Sequence, residues 1–232
     1  MRFVIALPFV WLIVFFLLPF ALVLAIALGT NAPDSAPPVA LGFSLENFAL
    51  LFTDDLYVAA WLSSLRIAAT STLVALLLGY PMAYAIARAT PRRRPLLLTL
   101  VILPFWTSFL IRVYAWMGLL AENGILNQVL RWSGLASDPG TILVTEWAVQ
   151  LGIVYAYLPF MVLPLYASLE KLDTSLLEAA ADLGAKPFAA FLTVTLPLSL
   201  PGIVAGCLLV FIPAVGEFVI PDLLGGTDTL MI

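Results

Sequence analysis

Histidine is absent from the 232 residues and cysteine occurs once, at Cys207, which excludes His-dependent triads, His-based metal sites and disulfide frameworks. No GxxxxGK[ST] is present, and Gly225-Gly226-Thr227 lacks the lysine and the strand-to-helix setting of a phosphate-cradling loop. An enzymatic reading falls away with them. The residues that could do work are those of recognition, in Glu178-Ala179-Ala180-Ala181-Asp182-Leu183-Gly184. Ser175 stands three residues before Glu178, the capping-box spacing in which two side chains satisfy orphan amides at a helix start. A helix beginning near Leu176 is expected. Leu176, Ala180 and Leu183 fall on one of its faces, while Glu178 and Asp182 lie one turn apart on another. Gly184 can take the left-handed conformation that ends a helix, and Pro187 reinforces the stop. Two turns are too short to stand alone, so the element must dock, either on another protein or on the membrane surface between two spans.

A membrane is demanded by composition: 63% of residues are hydrophobic and 10% charged, against about half and a quarter in soluble domains. Crossing the hydrocarbon core takes about 20 mostly apolar residues. Five stretches meet or approach that length, at 3–28, 65–87, 96–120, 145–169 and 196–215. The first is too long for the h-region of a signal peptide, and an uncleaved anchor is expected. Lys and Arg concentrate in short cytoplasmic loops, so Arg92, Arg93 and Arg94 place the loop after the second span inside, together with Arg2, Lys171 and Lys186. The outer loop 29–64 and the loop 121–144 then carry Asp34, Glu46, Asp54, Asp55, Glu122 and Asp138. The outer loop contains a Pro-rich stretch at 33–38 and a short amphipathic piece beginning at Gly42. Segment 170–195, which holds the capped helix, is cytoplasmic in this topology, and residues 1–232 form one transmembrane domain.

Ionisable groups in or beside spans are costly and usually face a cavity or a partner. Arg66 and Glu146 sit near the outer boundary, where snorkelling to water explains them. Arg112 is deeper, and fits either an interior lining or an ion pair with a carboxylate of another span. Prolines at 81, 159, 164, 197, 201 and 213 suit helices that bend.

Glu178-Ala179-Ala180, then Gly184, then Val194-Thr195-Leu196-Pro197, resembles the EAA loop of bacterial ABC-importer permeases, with valine where isoleucine is usual. The stretches at 10–20, 103–116, 123–127 and 216–226 look like the spermidine/putrescine branch, whose pattern is shared in large part by opine and other small-cation permeases. The resemblance implies an all-α integral membrane bundle of the type I ABC-importer permease (MetI-like) class. It further implies that Glu178, Ala179, Ala180, Asp182, Gly184, Leu196 and Pro197 couple the chain to an ATPase. Family members continue into a sixth span that is expected but absent from this sequence.

The partners so implied are a second permease subunit, which the polyamine likeness makes a heterodimer, two ATP-binding cassette subunits and an extracytoplasmic solute-binding protein. ATP and Mg belong to the ATPase, with no cofactor in this chain, and the location is a bacterial inner membrane with a cytoplasmic N-terminus. For a polyamine cargo, carboxylates and aromatic faces are the recognising chemistry, and Tyr114, Trp116, Glu122, Tyr157, Glu217 and Asp222 supply both near the outer half. Trp116 and Tyr157 also fit an interfacial aromatic belt, and Glu217 and Asp222 also fit loop structure. Other cargoes (an opine, thiamine, ferric iron or an anion) and a passive channel or scaffold without ATPase are the alternatives.

Overall fold

Proline and glycine positions set where the helices of this chain stop, bend and touch. The computed structural model describes residues 2–32, 39–134, 142–226, 229 and 231, so the Pro-rich stretch at 33–38 lies outside the described residues. The chain divides into two compact units, Met1–Ala59 and Ala60–Ile232, where the sequence suggests one domain.

In the first unit, α1 (Arg2–Leu12) and α2 (Leu18–Ala27) join through a π-helical turn, Ile13–Leu17. Strands β1 (Thr30–Asn31) and β2 (Val39–Ala40) pair antiparallel, Thr30 opposite Ala40. The amphipathic piece folds as α3 (Glu46–Thr53). Asn47 Nδ2 donates to the carbonyls of Ala27 and Gly29 at 3.0 and 2.9 Å, supplying the α2 end with the partners its last carbonyls lack.

Helix α4 (Asp55–Arg88) runs from the first unit into the second. The outer loop therefore ends well before residue 64: Asp55 opens a helix ten residues earlier than the apolar run suggests, because its Tyr, Trp and Ser residues are compatible with helix although they lower hydropathy. The span expected over 96–120 is broken. It folds as α5 (Arg94–Ile102), a 3₁₀ turn Leu103–Trp106 and α6 (Phe109–Leu120), with Thr107 and Ser108 extended between them. Thr107 donates to the Pro104 carbonyl through both its amide (3.3 Å) and its hydroxyl (2.8 Å), a local bond that competes with helix continuation. Next come α7 (Ile125–Trp132) and α8 (Glu146–Glu170).

After α8 come α9 (Ser175–Asp182), α10 (Pro187–Ala190), a π turn Phe191–Thr195, α11 (Leu196–Leu198), α12 (Leu200–Val215) and α13 (Val219–Leu224). Leu196 and Pro197 thus lie before a 64° bend, beyond which α12 begins at Leu200. Among the described residues, four helices are long and apolar enough to cross a membrane, or five if the bent pair is one span.

Helix α8 is the centre of the second unit. Its N-terminal half packs Ala148, Val149 and Ile153 against Ile67 of α4, Leu120 of α6 and Ile220 and Leu224 of α13. Its C-terminal half packs Met161, Val162 and Leu165 against Ala75, Ala83 and Ile86 of α4 and Val210 of α12. Lipid tails are as apolar as these side chains, so close packing rather than water exclusion must hold the helices together. Gly202 and Gly206, four apart, supply it: a Cβ at Gly202 would stand 2.6 Å from Ser168 Cβ and 2.9 Å from the Pro164 carbonyl, and one at Gly206 would meet Met161. This small-xxx-small stripe was readable in the sequence. Gly202→Ala is expected to lower the thermal unfolding midpoint, by overpacking of about 1–3 kcal/mol. Gly118→Ala, whose Cβ meets nothing within 4 Å, is expected to leave it unchanged or raised.

Candidate functional site: a capped helix, a bent connector and an aromatic wall

The capped helix forms, with a different cap. Asp173 Oδ1 accepts the Ser175 amide at 2.9 Å, and no side chain of Thr174 caps the first turn. Asp173, rather than a Ser175–Glu178 box, is the residue that starts α9. That bond and the Ser175 hydroxyl hold the Asp173 carboxyl below the ordinary carboxylate value, because hydrogen bonds to the charged form favour it. The other end is as expected. Gly184 adopts φ +84°, the Ala185 amide bonds the Ala180 carbonyl at 3.0 Å and the Gly184 amide bonds the Ala181 carbonyl at 2.8 Å, the paired closure of a Schellman motif. Glu178, Ala179, Asp182 and Gly184 are all exposed, and Ala180 is half-buried. Leu183 is 89% and Phe188 72% exposed, so the helix carries two carboxylates beside uncovered apolar side chains.

The connector is built on prolines. Pro187 begins α10, and Pro197 and Pro201 stand second in α11 and α12. Pro201 cannot donate to the Pro197 carbonyl and its ring crowds that oxygen, so the chain bends between them at Ser199. Ser199 Oγ gives its proton to the Leu196 carbonyl at 2.9 Å. Tyr80 OH, 2.9 Å from Ser199 Oγ, is therefore the donor of that pair. Tyr80 also meets Phe191 edge-on at 5.6 Å, so α4 holds the bend from two sides. Arg94 ties the neighbouring helix ends: Nε and Nη2 donate to the carbonyls of Ala89 and Ala87, each at 2.9 Å, and Nη1 pairs with Glu170 at 3.1 Å. Sequence reasoning missed Tyr80, Ser199 and Arg94. For the first two, the Pro197–Pro201 spacing was the available signal.

Of the substrate-path residues, the structure joins two. Tyr157 OH donates to Glu217 Oε2 at 2.6 Å. Glu217, 9% exposed, uses Oε1 to accept the amides of Val219 and Ile220 at 3.1 and 3.3 Å, so it also caps α13. Trp116, partly buried against the core, packs edge-on on Tyr155 at 5.3 Å. Tyr114 and Glu122 are exposed, and Asp222 lines a separate pocket of about 510 Å³ with Val144, Phe218 and Gly226. The aromatic neighbours of Tyr157 escaped sequence reasoning: Phe160 lies 6.1 Å away, and Phe105 stands edge-on to Phe160 at 5.2 Å. Arg112 pairs with no carboxylate among the described residues; its Cζ lies 5.0 Å from the Phe105 ring centre. Arg66 and Glu146 do not snorkel separately but pair with each other, and Gln150 links Glu146 to Thr70 at 3.1 and 3.2 Å.

Residues 75–232 match the family described as binding-protein-dependent transport system inner membrane component. The chain belongs to this family. The permease is 49% identical over 228 residues, 98% of its own length and 79% of the relative's, to the spermidine/putrescine transport system permease protein PotB of Haemophilus influenzae. To PotB of Escherichia coli K12 it is 46% identical over 222 residues, 96% of this chain and 80% of that one. Its fold is similar to a chain of a bacterial alginate ABC transporter crystallised with an alginate pentasaccharide-bound periplasmic protein. The TM-score is 0.71 at 21% identity, covering 99% of this chain and 77% of the other. The expected all-α importer-permease fold is thereby borne out.

The cap carries a pH dependence of defined sign. Because the folded Asp173 carboxyl titrates below the ordinary carboxylate value, its contribution to α9 is present above that value and is lost as pH falls through the depressed one. In the permease at neutral pH, hydrogen exchange of the Ser175 amide is expected to be faster in Asp173→Ala and near wild type in Asp173→Asn.

Proposed function

We propose that the permease moves polyamines inward as one membrane subunit of an ATP-driven importer, by alternating access. The observation that carries the cargo is identity of 46–49% to two spermidine/putrescine permeases along nearly the whole chain. The Tyr157–Glu217 pair supports it, since a buried carboxylate beside aromatic rings suits an ammonium group. Tyr114, Trp116, Glu122 and Asp222 remain secondary candidates for the same path.

In this reading the basic loop Arg92–Arg94 and α9 face the cytoplasm and the N-terminus is cytoplasmic, by the charge rule for short loops. ATP and Mg sit in a separate pair of cassette subunits, a second permease completes the path as a heterodimer, and an extracytoplasmic protein delivers cargo. The exposed face of α9, with Glu178, Ala179, Ala180 and Asp182, docks on the ATPase. Gly184 fixes the angle at which α9 meets the connector, and Leu196 and Pro197 carry its motion over the bend to α12.

Two experiments test this. In vesicles holding the full transporter and its binding protein, labelled spermidine or putrescine uptake is expected to need ATP and to resist competition by thiamine, an opine, ferric chelate or oxyanions. Competition by one of those in place of amines would move the cargo, and uptake without nucleotide would favour a passive channel. Gly184→Val forces a β-branched residue to φ +84°, a conformation costing about 1–2 kcal/mol or more in L-residues. It is expected to retain ATP hydrolysis while uptake falls at least about tenfold. Uptake and hydrolysis both at wild-type rates would contradict the role given to Gly184.

A further inference from the structure

Among the described residues, Arg112 is a cation without an anion. Its Nε and Nη1 are buried and have no hydrogen-bond partner, and its Cζ lies 5.0 Å and 5.9 Å from the ring centres of Phe105 and Phe109. The guanidinium lies in α6, within the stretch Phe109–Trp132 that is long and apolar enough to span the membrane, where an ionisable side chain is costly. A desolvated cation–π contact returns about 2 kcal/mol, less than two charged hydrogen bonds would. The side chain is therefore held on the aromatic faces while its bonding capacity stays unmet.

Those faces are one end of a continuous strip. From Phe105 the rings pass to Phe160 at 5.2 Å and to Tyr157 at 6.1 Å, and the Tyr157 hydroxyl reaches Glu217 at 2.6 Å. A carboxylate stands at one end and a guanidinium at the other. Phe160, in the middle, is 38% exposed, so the strip is open to a ligand from outside the chain.

We propose that Arg112 is a specificity-determining residue of the path, a tethered cation that occupies the Phe105 face and limits how many cargo charges the strip accepts. This rests on the polyamine reading. An ammonium bound at Glu217 and Tyr157 leaves Phe160 for a second, and one seated there lies beside the ring on which Arg112 sits. Like-charge repulsion across two adjoining rings penalises each further cargo charge on that side. The resident guanidinium thus sets the balance between a diamine and a triamine.

The test compares apparent KM for putrescine and spermidine in the assembled transporter with wild type, Arg112→Gln and Arg112→Lys. Arg112→Gln is expected to lower the spermidine KM by about two- to five-fold relative to putrescine, the equivalent of about 0.5–1 kcal/mol, and Arg112→Lys to keep the wild-type ratio. An unchanged ratio in Arg112→Gln with active wild type overturns this proposal alone. Loss of uptake of both amines in Arg112→Gln, with normal assembly by size exclusion, also overturns it by making Arg112 structural. Absence of amine uptake in wild type overturns the polyamine reading and this proposal together.

Discussion

The Tyr80–Ser199 hydrogen bond, buried between α4 and the bend of the α11–α12 pair, is the contact on which the link from the connector to α12 depends. A 64° change of direction beside a bilayer exposes backbone groups that lipid cannot satisfy. Ser199 resolves this by donating to the Leu196 carbonyl and accepting from Tyr80. Its own amide still reaches the Thr195 carbonyl at 3.0 Å. The Ser199 side chain and amide are thus both bonded at the bend, which favours a fixed elbow over a loose joint.

The same demand for satisfied groups and close contact explains the rest of the second unit. Helix α12 can lie on α8 because Gly202 and Gly206 present no side chain to Pro164, Ser168 and Met161. Helix ends are finished by side chains brought from elsewhere: Arg94 for α4 and Asn127 for α6, whose amide donates to the Ala121 carbonyl at 3.0 Å. Glu217 opens α13 while holding Tyr157. A carboxylate committed to three donors is held in a fixed position, which suits the recognition role proposed for it in a low-dielectric wall. The first unit adds a nearly wholly exposed apolar helix pair, α1 and α2, suited to lipid.

Sequence patterns reached the membrane fold and the capped helix because both are local. Gly184 was readable since a positive φ after a two-turn helix needs that residue. Asp173 was not, because Asp173, Thr174 and Ser175 are all good N-caps and only the end of α8 at Glu170 selects among them. The break at Thr107 and Ser108 escaped for a different reason: two small uncharged residues between apolar neighbours leave hydropathy almost unaltered. The Arg66–Glu146 and Tyr157–Glu217 contacts join residues 80 and 60 apart. Their types were legible as candidates, while their pairing required the bundle. Arg112 lay between two readings, and the structure offered a third, stacking on Phe105.

In the proposed mechanism, a fixed elbow makes α9, the connector and α12 turn as one body when the ATPase partner binds nucleotide. Pulsed-EPR distances in the assembled transporter, in a Cys207→Ser background, test this directly with one label pair across the bend at Phe188 and Leu209 and another between helices at Leu100 and Leu209. Rigid coupling predicts that trapping the ATP-bound state shifts the Leu100–Leu209 distance and leaves Phe188–Leu209 unchanged. A change across the bend with Leu100–Leu209 constant contradicts it.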